Sequence, residues 1–545
     1  MTFRCPVRDQ RLVLDHVVGI AELSNDLDMV GAVLDGAAQF AEGQFAPLDR
    51  IGDTVGSRMI DGKVVTPDGF KAAYQTFVEG GWMTLAAPDQ YGGQGLPLAL
   101  SAALMEDLQA ANSGFAMMPV LSIGAIEALR HHGSDELKER YLAKIVSGEW
   151  PATMNLTEPQ AGSDVGALKT RAEPNDDGSW RVSGTKIFIT YGDHDLTEQI
   201  IHLVLARTPD APEGTRGISL FLVPKILPDG SANDLHCVSI EHKMGIHASP
   251  TCVMSYGDKN GATGWMIGGE NQGMRAMFTM MNNARLNVGL QGVGIAERAT
   301  QRAVAYALDR RQNGKAIADH PDVRRMLLRM RALTMGSRAL VYYAFGQIDR
   351  AARGDPLAGF RGDVLTPLAK AWGTDIGCEV ASLGVQVHGG MGYIEETGAA
   401  QHLRDARIAP IYEGTNGIQA ADLVGRKLGL DAGLAFDGLI ADVRAEARDP
   451  GLIALSDAVD VAAASLRDAA PDDRLAGSYP FLTMTSVLVA GWLVERLSLD
   501  PVADDRTRAA AAYFLGAVVP EALGLAAGVE GGAAMLYAVP AEALG

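Results

Sequence analysis

The character of the chain changes at MNLTEPQAGSD (residues 154–164). Before this stretch, residues 1–150 are rich in Ala and Leu with few β-branched clusters, which predicts helices. After it, short runs such as KIFIT (186–190), bounded by Gly, Asp and Pro, predict strands of about five to seven residues up to residue 270. The stretch itself collects Thr, Gly, Ser and Asp. Such a loop presents N–H groups and hydroxyls to anionic oxygens, or it is an ordinary turn.

Helical spacing returns from about residue 271, where Met274, Met277, Phe278 and Met281 repeat at i, i+3, i+4 and i+7. A methionine stripe of this kind is typical of a packed core. A connector is expected near residues 428–450, followed by another Ala- and Leu-rich helical stretch. The sequence therefore predicts an α+β, mainly α fold with four domains: helical 1–150, β 151–270, helical 271–430 and an additional C-terminal helical domain 440–545.

Bulk composition limits the function classes. The 545 residues are too many for one hydrophobic core. The net charge of −19 argues against a nucleic-acid partner, whose phosphates require a basic surface. The four cysteines have no metal-ligand spacing, which is typical of thiols in a reducing compartment. The first residues lack a signal peptide's apolar run, and the apolar run 487–494 is too short to span a bilayer. We therefore expect a cytoplasmic protein without a membrane or metal site.

Two glycine-containing motifs have both a structural and a functional interpretation. LDRRQNGK (308–315) reads as the basic end of a long helix followed by a glycine stop. Its arginines also suit bidentate contact with phosphate. QVHGGMGY (386–393) reads as a glycine-rich turn where a cofactor could approach the backbone closely. His388 within it is more typical of a packing or hydrogen-bonding residue than of a ligand.

The motif IYEGTNGIQ (411–419) holds a carboxylate between an aromatic residue and a glycine. A lone glutamate is usually a solvated surface residue. Held against apolar neighbours, however, its ionised form is disfavoured and its pKa rises. A glutamate with a pKa nearer the working pH is suited to act as a general base. Glu413 is therefore the candidate catalytic base.

Taken together and in order, the motifs TEPQAGSD, KIFIT, RRQNGK, QVHGGMGY and IYEGT resemble the acyl-CoA dehydrogenase family from about residue 40 to 430. The resemblance implies a helical domain, a β-domain and a catalytic four-helix bundle, with FAD as cofactor. It also implies that an acyl-CoA thioester is oxidised to a trans-2-enoyl-CoA and that an electron-transfer flavoprotein takes the electrons. RCPVRD (4–9) and the added C-terminal stretch resemble a longer bacterial subgroup, which includes 3-methylmercaptopropionyl-CoA and broad-range fatty acyl-CoA dehydrogenases. Its members are often dimeric.

The resemblance assigns roles residue by residue. It places Thr157 near the flavin ring, Ser163 near pyrophosphate and substrate, and Arg310 on the pyrophosphate of the neighbouring subunit's FAD. The FAD-binding residues it implies are Met154, Leu156, Thr157, Gly162, Ser163, Phe188, Ile189, Thr190, Arg310, Gln312, Gln386, Val387, Gly389, Gly390, Thr415 and Gly417. The substrate-binding residues it implies are Ser163, Asn282, Arg285 and Gly414. Asn416 should also touch the cofactor.

The family places its catalytic glutamate at one of two positions. One corresponds to Ala284, which cannot accept a proton, and the other to Glu413. Two departures weaken individual contacts, since Asn282 stands where relatives often have a carboxylate and Gly425 where they have an arginine. Phe188 replaces a common tryptophan.

Two other functions remain open at this stage. One is a flavin-binding but non-catalytic relative that binds DNA, and the other is an acyl-CoA oxidase. The acidic composition and the retained Glu413 speak against the first. The sequence also leaves open the acyl group, which is 3-methylmercaptopropionyl or a short to medium fatty acyl in the subgroup, the choice between dimer and tetramer, and the role of residues 440–545.

Overall fold

The computed structural model describes residues 3–545. Contacts divide the chain into two compact units, each described here by itself. The sheet unit comprises residues 39–96 and 111–284, and the helical unit comprises residues up to 38, 97–110 and 285–545. The fold is 63% helical with a central sheet, which confirms the predicted α+β, mainly α class. In this division, residues up to 38 and residues 97–110 pack with residues 285–545, and the four predicted domains stay a prediction.

The sheet unit is built on a sheet whose strands come from residues 152–267. In spatial order they are Ala152–Asn155, Ile201–Ala206, Ser219–Pro224, Ala262–Ile267, Trp180–Thr190, Thr251–Tyr256 and Leu235–Ile240, with Arg171–Pro174 paired to Trp180–Thr190. The first pair runs parallel, and the pairs that follow it run antiparallel. The strands Ile201–Ala206 and Ser219–Pro224 are buried along their whole length, as expected for strands covered on both faces.

One strand of this sheet carries a bulge. The register of Trp180–Thr190 against Thr251–Tyr256 shifts between Lys186 and Ile189. Phe188 lies in this interval with φ +60°, a left-handed conformation that is unfavourable for an aromatic residue. The bulge re-aims its side chain, which is 58% exposed, whereas Ile189 stays in the core.

Helices and a hairpin complete the sheet unit. The hairpin pairs Arg58–Ile60 with Lys63–Val65. The helical segments are Ala41–Phe45, Ala46–Leu48, Asp49–Val55, Phe70–Glu79, Trp82–Thr84, Asp89–Tyr91, Ser113–His132, Asp135–Leu137, Lys138–Leu142, Ala143–Val146, Val165–Ala167 and Gly214–Gly217. Ser113–His132 begins where the Asn112 side chain accepts a hydrogen bond from the Phe115 N–H at 3.1 Å, a standard N-cap.

Long helices dominate the helical unit. They are Leu98–Ala111, Gly273–Asp309 (which enters this unit at Arg285), Pro321–Ala352 and Pro356–His388. Shorter segments precede and follow them: Val7–Val13, Leu14–Val18, Ile20–Leu23, Leu27–Phe40, Ile317–Asp319, Gly389–Tyr393, Glu395–Thr397, Ala399–Ala406 and Asn416–Gly425.

Two of the long helices cross at glycines. A β-carbon built at Gly292 would lie 2.1 Å from the Gly373 carbonyl oxygen, and one at Gly377 would lie 2.8 Å from the Gly292 Cα. Larger residues would therefore force the helices Gly273–Asp309 and Pro356–His388 apart. Their close approach fixes the relative positions of the side chains just before the crossing, Arg285 on one helix and Lys370 on the other.

The C-terminal residues form further helices packed in the helical unit. They are Leu434–Glu446, Pro450–Asp468, Pro471–Ala476, Ser478–Leu499, Asp505–Tyr513, Phe514–Val518, Val519–Leu523, Ala526–Glu530 and Ala541–Leu544. The predicted connector at 428–450 is wrong for most of its length, since helical order is interrupted only at Leu430–Ala432 and at the loop before Pro450. Leu434–Glu446 forms a helix, which satisfies its backbone hydrogen bonds, and it buries Phe436 and Leu439.

Two segments are long and apolar enough to cross a membrane by length and composition alone. In Ser478–Leu499, which extends the apolar run 487–494 on both sides, 78% of the apolar window is buried inside the protein. In Asp505–Glu530 the buried share is 28%. The first segment is a core helix of the helical unit, and the pair is weak evidence for a membrane span.

The motif LDRRQNGK differs from its predicted form. The helix ends at Asp309, and Arg311–Gln312 pairs with Lys315–Ala316 in a small antiparallel hairpin. Asn313 and Gly314 form its turn with φ +49° and +77°. This Asn-Gly pair adopts the left-handed backbone that two-residue hairpins require, so it starts a hairpin rather than a glycine stop.

A buried ionic network ties the helices of the helical unit together. The Arg338 guanidinium, 1% exposed, donates to Glu106 at 2.7 Å and to Glu297 at 2.9 Å. Asp9 near the N-terminus lies 3.4 Å from the Arg331 guanidinium, which also contacts Glu297 at 3.2 Å. Burial acts to raise the pKa of Glu297, but Arg331 and Arg338 together lower it to about 2.

Replacing Glu297 by Gln should destabilise the protein strongly, because it leaves the buried Arg338 with one carboxylate fewer. We expect a loss of about 3–5 kcal/mol in the free energy of unfolding. Urea unfolding of the FAD-loaded protein measures it. Glu446→Gln is the control, since Glu446 pairs with Arg496 at the surface and its removal should cost at most about 1 kcal/mol. Equal losses in the two variants would contradict the role of the network.

Candidate active site

Glu413 lies in a tight reversal of the chain before the helix Asn416–Gly425. Its φ is +55° and that of Gly414 is +84°, so two successive residues adopt the left-handed conformation. Thr415 then caps the helix, since its hydroxyl oxygen accepts a hydrogen bond from the Ile418 N–H at 3.2 Å. A non-glycine residue in this conformation persists only when its surroundings hold it, and such residues concentrate at functional sites.

Side chains from neighbouring helices hold the backbone of this reversal. Arg285 and Gln419 each donate to the Glu413 carbonyl oxygen at 3.3 Å, and Gln419 also donates to the Gly414 carbonyl at 3.3 Å. The Lys370 ammonium donates to the same Gly414 carbonyl at 2.8 Å. Tyr412 donates its hydroxyl proton to Gln291. The Glu413 and Gly414 carbonyls are therefore held by four hydrogen bonds from three side chains.

The Glu413 carboxyl is half-buried. Burial raises the pKa of Glu413 to about 7, although Arg285 and Lys370 both act to lower it. Burial also lowers the pKa of Arg285 and lowers that of Lys370 to about 7. A carboxyl with a pKa near neutrality can both hold and release a proton at physiological pH, which is the property a general base needs.

The predicted flavin loop, residues 154–163, lies in the sheet unit and is anchored by a buried ion pair. The Lys186 ammonium donates to Glu158 at 2.8 Å and to the Leu156 carbonyl at 3.0 Å. Glu158 also accepts from the N–H groups of Lys169 at 2.7 Å and Thr170 at 3.0 Å. Burial lowers the pKa of Lys186 to about 8, and the pKa of Glu158 falls to about 2 beside it despite its own burial.

This anchor brings the two predicted flavin segments of the sheet unit together. The Ile187 N–H donates to the Thr157 carbonyl at 2.9 Å, so Thr157 lies beside the bulge that exposes Phe188. Thr157 and Thr190 are partly exposed, and Gly162 and Ser163 are exposed. Met154 and Leu156 are also partly exposed. Ile189 is 2% exposed, so any contact that it makes with a ligand must come from its backbone.

The other predicted cofactor residues lie at two places in the helical unit. Arg310 is exposed where the helix Gly273–Asp309 ends, and Gln312 is exposed in the hairpin that follows. Gln386 is exposed on the last turn of Pro356–His388, with Gly389 (φ +60°) and Gly390 after it and nothing within 4 Å of a β-carbon built at either. Val387 is 4% exposed and packs inward.

The predicted substrate residues Asn282 and Arg285 lie three positions apart on the helix Gly273–Asp309. Arg285 is 5% exposed and donates to the Glu413 carbonyl, so it supports the loop that carries Glu413. Gly414 lies in the same loop, and Gly417 is exposed in the first turn of the following helix. Within the helical unit the structure therefore joins Glu413, Gly414, Thr415 and Arg285, whereas Gln386 to Gly390 lie elsewhere on its surface.

Sequence reasoning missed Lys370, although its sequence context gave a signal. It is the single charged residue in TPLAKAWG (366–373), a helical stretch whose remaining residues are all buried. Such a charge has to find partners in the interior. Asn416 is 3% exposed and its side chain is bonded to the helix Pro356–His388, so the expected contact with the cofactor would have to come from its backbone.

Comparison with known proteins identifies the family. The models of the acyl-CoA dehydrogenase N-terminal, middle and C-terminal domains match residues 32–149, 153–258 and 271–428. The chain therefore belongs to the acyl-CoA dehydrogenase family and is a flavoprotein oxidoreductase.

Individual relatives refine this placement. The chain is 49% identical over 532 residues to 3-methylmercaptopropionyl-CoA dehydrogenase of Ruegeria pomeroyi, covering 90% of each chain. It is 34% identical to the broad-specificity linear acyl-CoA dehydrogenase FadE5 of Mycobacterium tuberculosis, covering 92% of this chain and 91% of that one. Its fold is similar to that of Caenorhabditis elegans ACDH-11, with a TM-score of 0.81, 22% identity and coverage of 94% and 91%.

FAD is the cofactor of this family, and the residues of this chain fit it. The exposed glycines Gly162, Gly389 and Gly390 leave open space where a cofactor could approach the backbone. Exposed Arg310 and Gln312 offer donors that suit a pyrophosphate. The aromatic ring of Phe188, exposed at a strained bulge, suits the face of a flavin ring.

Replacing Lys186 by Met should weaken FAD binding, because the 154–163 loop loses its anchor and Glu158 stays buried without a cation. A hydrogen bond to a charged group contributes about 1.5–3 kcal/mol, so we expect about a 10- to 100-fold higher dissociation constant. Titrating the apoprotein with FAD by fluorescence measures this. The control is Lys169→Met, whose side chain is exposed. An unchanged affinity in Lys186→Met would show that the anchor does not shape the site.

Proposed function

We propose that the protein catalyses the FAD-dependent α,β-dehydrogenation of an acyl-CoA thioester to a trans-2-enoyl-CoA, with Glu413 as the general base. The observation that carries this proposal is a half-buried glutamate with a raised pKa, held in a left-handed loop by Arg285, Lys370 and Gln419. Ala284, the family's other position for the base, cannot take a proton.

The chemistry requires a base at the α-carbon and stabilisation of the charge that develops on the thioester oxygen. The α-hydrogen of a thioester is a weak acid, so its removal depends on donors aimed at that oxygen. The backbone N–H of Glu413 is the proposed protein donor, and the loop contacts hold it in place. The Glu413 carboxylate takes the α-proton. Bound FAD would supply the acceptor for the β-hydrogen and its electron pair, so that the double bond would form between the α- and β-carbons.

Other groups of this chain bind and orient the reactants. In the sheet unit, Thr157, Ser163 and Phe188 are proposed to contact FAD. In the helical unit, Gln312 and the 386–390 turn are proposed to contact FAD, and Arg310 the pyrophosphate of the neighbouring subunit's FAD. The remaining residues proposed for it are Met154, Leu156, Gly162, Ile189, Thr190, Thr415 and Gly417. Ser163, Asn282, Arg285 and Gly414 would bind the substrate. Exclusion of water by the bound reactants would protect the developing enolate from reprotonation.

For the acyl group we propose 3-methylmercaptopropionyl or a short to medium linear chain. Support comes from the 49% identity to the Ruegeria dehydrogenase of that name and from the relative that accepts linear acyl groups. We propose an electron-transfer flavoprotein as acceptor, a homodimer as the assembly and the cytoplasm as location, as the family resemblance implies.

The first test is anaerobic mixing of the oxidised protein with 3-methylmercaptopropionyl-, butyryl- and octanoyl-CoA while the flavin absorbance is followed. Bleaching is expected with at least one thioester and should fall about 10²- to 10⁴-fold in rate in Glu413→Gln, which cannot accept the α-proton. FAD content should stay unchanged.

Glu396→Gln is the control for the loss of a carboxylate, because Glu396 is exposed in the same unit. Normal flavin reduction by Glu413→Gln would refute the assignment of the base. Protein that carries FAD but bleaches with no thioester would favour the non-catalytic alternative. Rapid peroxide release in air would favour an oxidase.

The rate of flavin reduction should rise with pH on its acid side. Glu413 acts only when ionised, and burial raises its pKa to about 7, so the reactive form is lost as the pH falls below about 7. Stopped-flow rates at low substrate concentration between pH 5.5 and about 9 report the free enzyme. A rate that stays constant down to pH 5.5, as the ordinary glutamate pKa of about 4.3 would give, would contradict the proposed environment of Glu413.

A further inference from the structure

The loop that carries Glu413 is connected by hydrogen bonds to the C-terminal helices. The connection starts at Lys370, which is 0% exposed and lies on the helix Pro356–His388. Its ammonium donates to the Gly414 carbonyl at 2.8 Å and to the Asn416 side-chain oxygen at 2.9 Å. Lys370 therefore binds the loop at two places, one residue and three residues after Glu413.

Asn416 is the second member of the connection. Its amide nitrogen donates to the Ala371 carbonyl at 3.0 Å, to the Thr374 hydroxyl at 3.0 Å and to the Asp375 carboxylate at 2.8 Å. Both ends of this amide are thus engaged by one turn of the helix that carries Lys370. The start of the helix Asn416–Gly425 cannot move relative to that turn without breaking several buried hydrogen bonds.

Asp375 carries the connection to the C-terminal residues. Its second carboxylate oxygen accepts a hydrogen bond from the Tyr479 hydroxyl at 2.6 Å. Tyr479 lies in the first turn of Ser478–Leu499, far along the chain from the catalytic motifs. Burial raises the pKa of Asp375, whereas Tyr479, Asn416 and Lys370 act to lower it, so Tyr479 helps to keep this carboxylate ionised and bonded to Asn416.

We propose that Tyr479, Asp375, Asn416 and Lys370 form a positioning relay through which the added C-terminal helices hold Glu413 in its reactive orientation. This inference rests on the proposed role of Glu413 as base. It gives the C-terminal residues a part in the reaction, although Tyr479 touches neither substrate nor cofactor. The members act by fixing the Gly414 carbonyl and the start of the helix Asn416–Gly425.

Besides fixing the position of the loop, Lys370 acts on Glu413 through its charge. Its ammonium and the Arg285 guanidinium both stabilise the Glu413 carboxylate, and each lowers the pKa that burial has raised. The other charged groups around this set are Asp375 and Arg407 on the side of Lys370, and Asp422 and Arg426 on the side of Arg285. Removing the cation at Lys370 alone should therefore raise the pKa of the base.

The decisive experiment measures flavin reduction by the best acyl-CoA in the FAD-loaded protein across pH. Tyr479→Phe removes one hydroxyl from a residue that is 39% exposed, so the fold and FAD content should be preserved. We expect the limiting reduction rate to fall about 3- to 10-fold at every pH, since the loop keeps its other contacts. Thr483→Ala is the matched control one turn along the same helix; its hydroxyl bonds only to the Tyr479 carbonyl among the contacts of the described structure.

Lys370→Met and Lys370→Arg separate charge from position. Lys370→Met should lower the rate about 10²-fold and shift the acid limb of the pH profile upward by about one unit, because a nearby cation is lost. Lys370→Arg keeps the charge, so its acid limb should stay near that of the unmodified protein even if the rate falls. Lys427→Met, another lysine of the helical unit paired with Asp363, should match the unmodified protein.

The outcomes distinguish the two proposals. If the unmodified protein is reduced by an acyl-CoA but Tyr479→Phe matches Thr483→Ala, the relay is overturned while Glu413 can remain the base. If Lys370→Met is slow but its acid limb does not move, the charge effect is overturned. If no acyl-CoA reduces the unmodified protein, or if Glu413→Gln is reduced normally, the proposed function fails first.

Discussion

The close crossing of two long helices is the constraint on which the candidate site depends. The helices Gly273–Asp309 and Pro356–His388 meet at Gly292 and Gly377, where an added β-carbon would lie 2.1 Å and 2.8 Å from the other helix's backbone, and at Gly373, where it would lie 3.0 Å away. One helix places Arg285 against the Glu413 carbonyl, and the other places Lys370 against the Gly414 carbonyl. A wider crossing would lengthen both contacts, and the Arg285 bond at 3.3 Å is already longer than the usual N–H···O range of about 2.7–3.2 Å. Backbone packing thus determines the electrostatics at Glu413.

Two opposing effects then set the character of Glu413. Burial disfavours the carboxylate, and two buried cations favour it, with the balance leaving its pKa near 7. The cations are themselves disfavoured by burial, as the lowered pKa of Lys370 shows. Each buried charge therefore depends on the others, so the site behaves as a set rather than as one residue. The sheet unit uses the same device, since the buried pair of Lys186 and Glu158 holds the 154–163 loop.

Much of the architecture could be predicted from the sequence. The helix-to-strand change at residue 154 and the return of helical spacing near 271 reflect local periodicity, which one chain carries in full. The hairpin at 311–316 was misread because Asn-Gly satisfies both a helix stop and a two-residue turn, and only its pairing partner decides between them. The segment 434–446 is a helix instead of the predicted connector, because the burial of Phe436 and Leu439 depends on distant helices that the local pattern does not show.

In the candidate site, too, some features follow from local sequence and others from tertiary contacts. The sequence by itself determined the family, the cofactor class and the identity of the candidate base, since these are written in contiguous motifs such as IYEGT (411–415). Only the tertiary structure decided that Lys370 and Asn416 hold the loop, that Ile189 faces the core, and that Tyr479 reaches the same network. Lys370 lies 46 residues before Asn416 in the chain, and Tyr479 lies 104 residues after Asp375. Hydrogen bonds depend on distance in space, which a local motif does not encode, whereas the left-handed turn and its cap are built from adjacent residues.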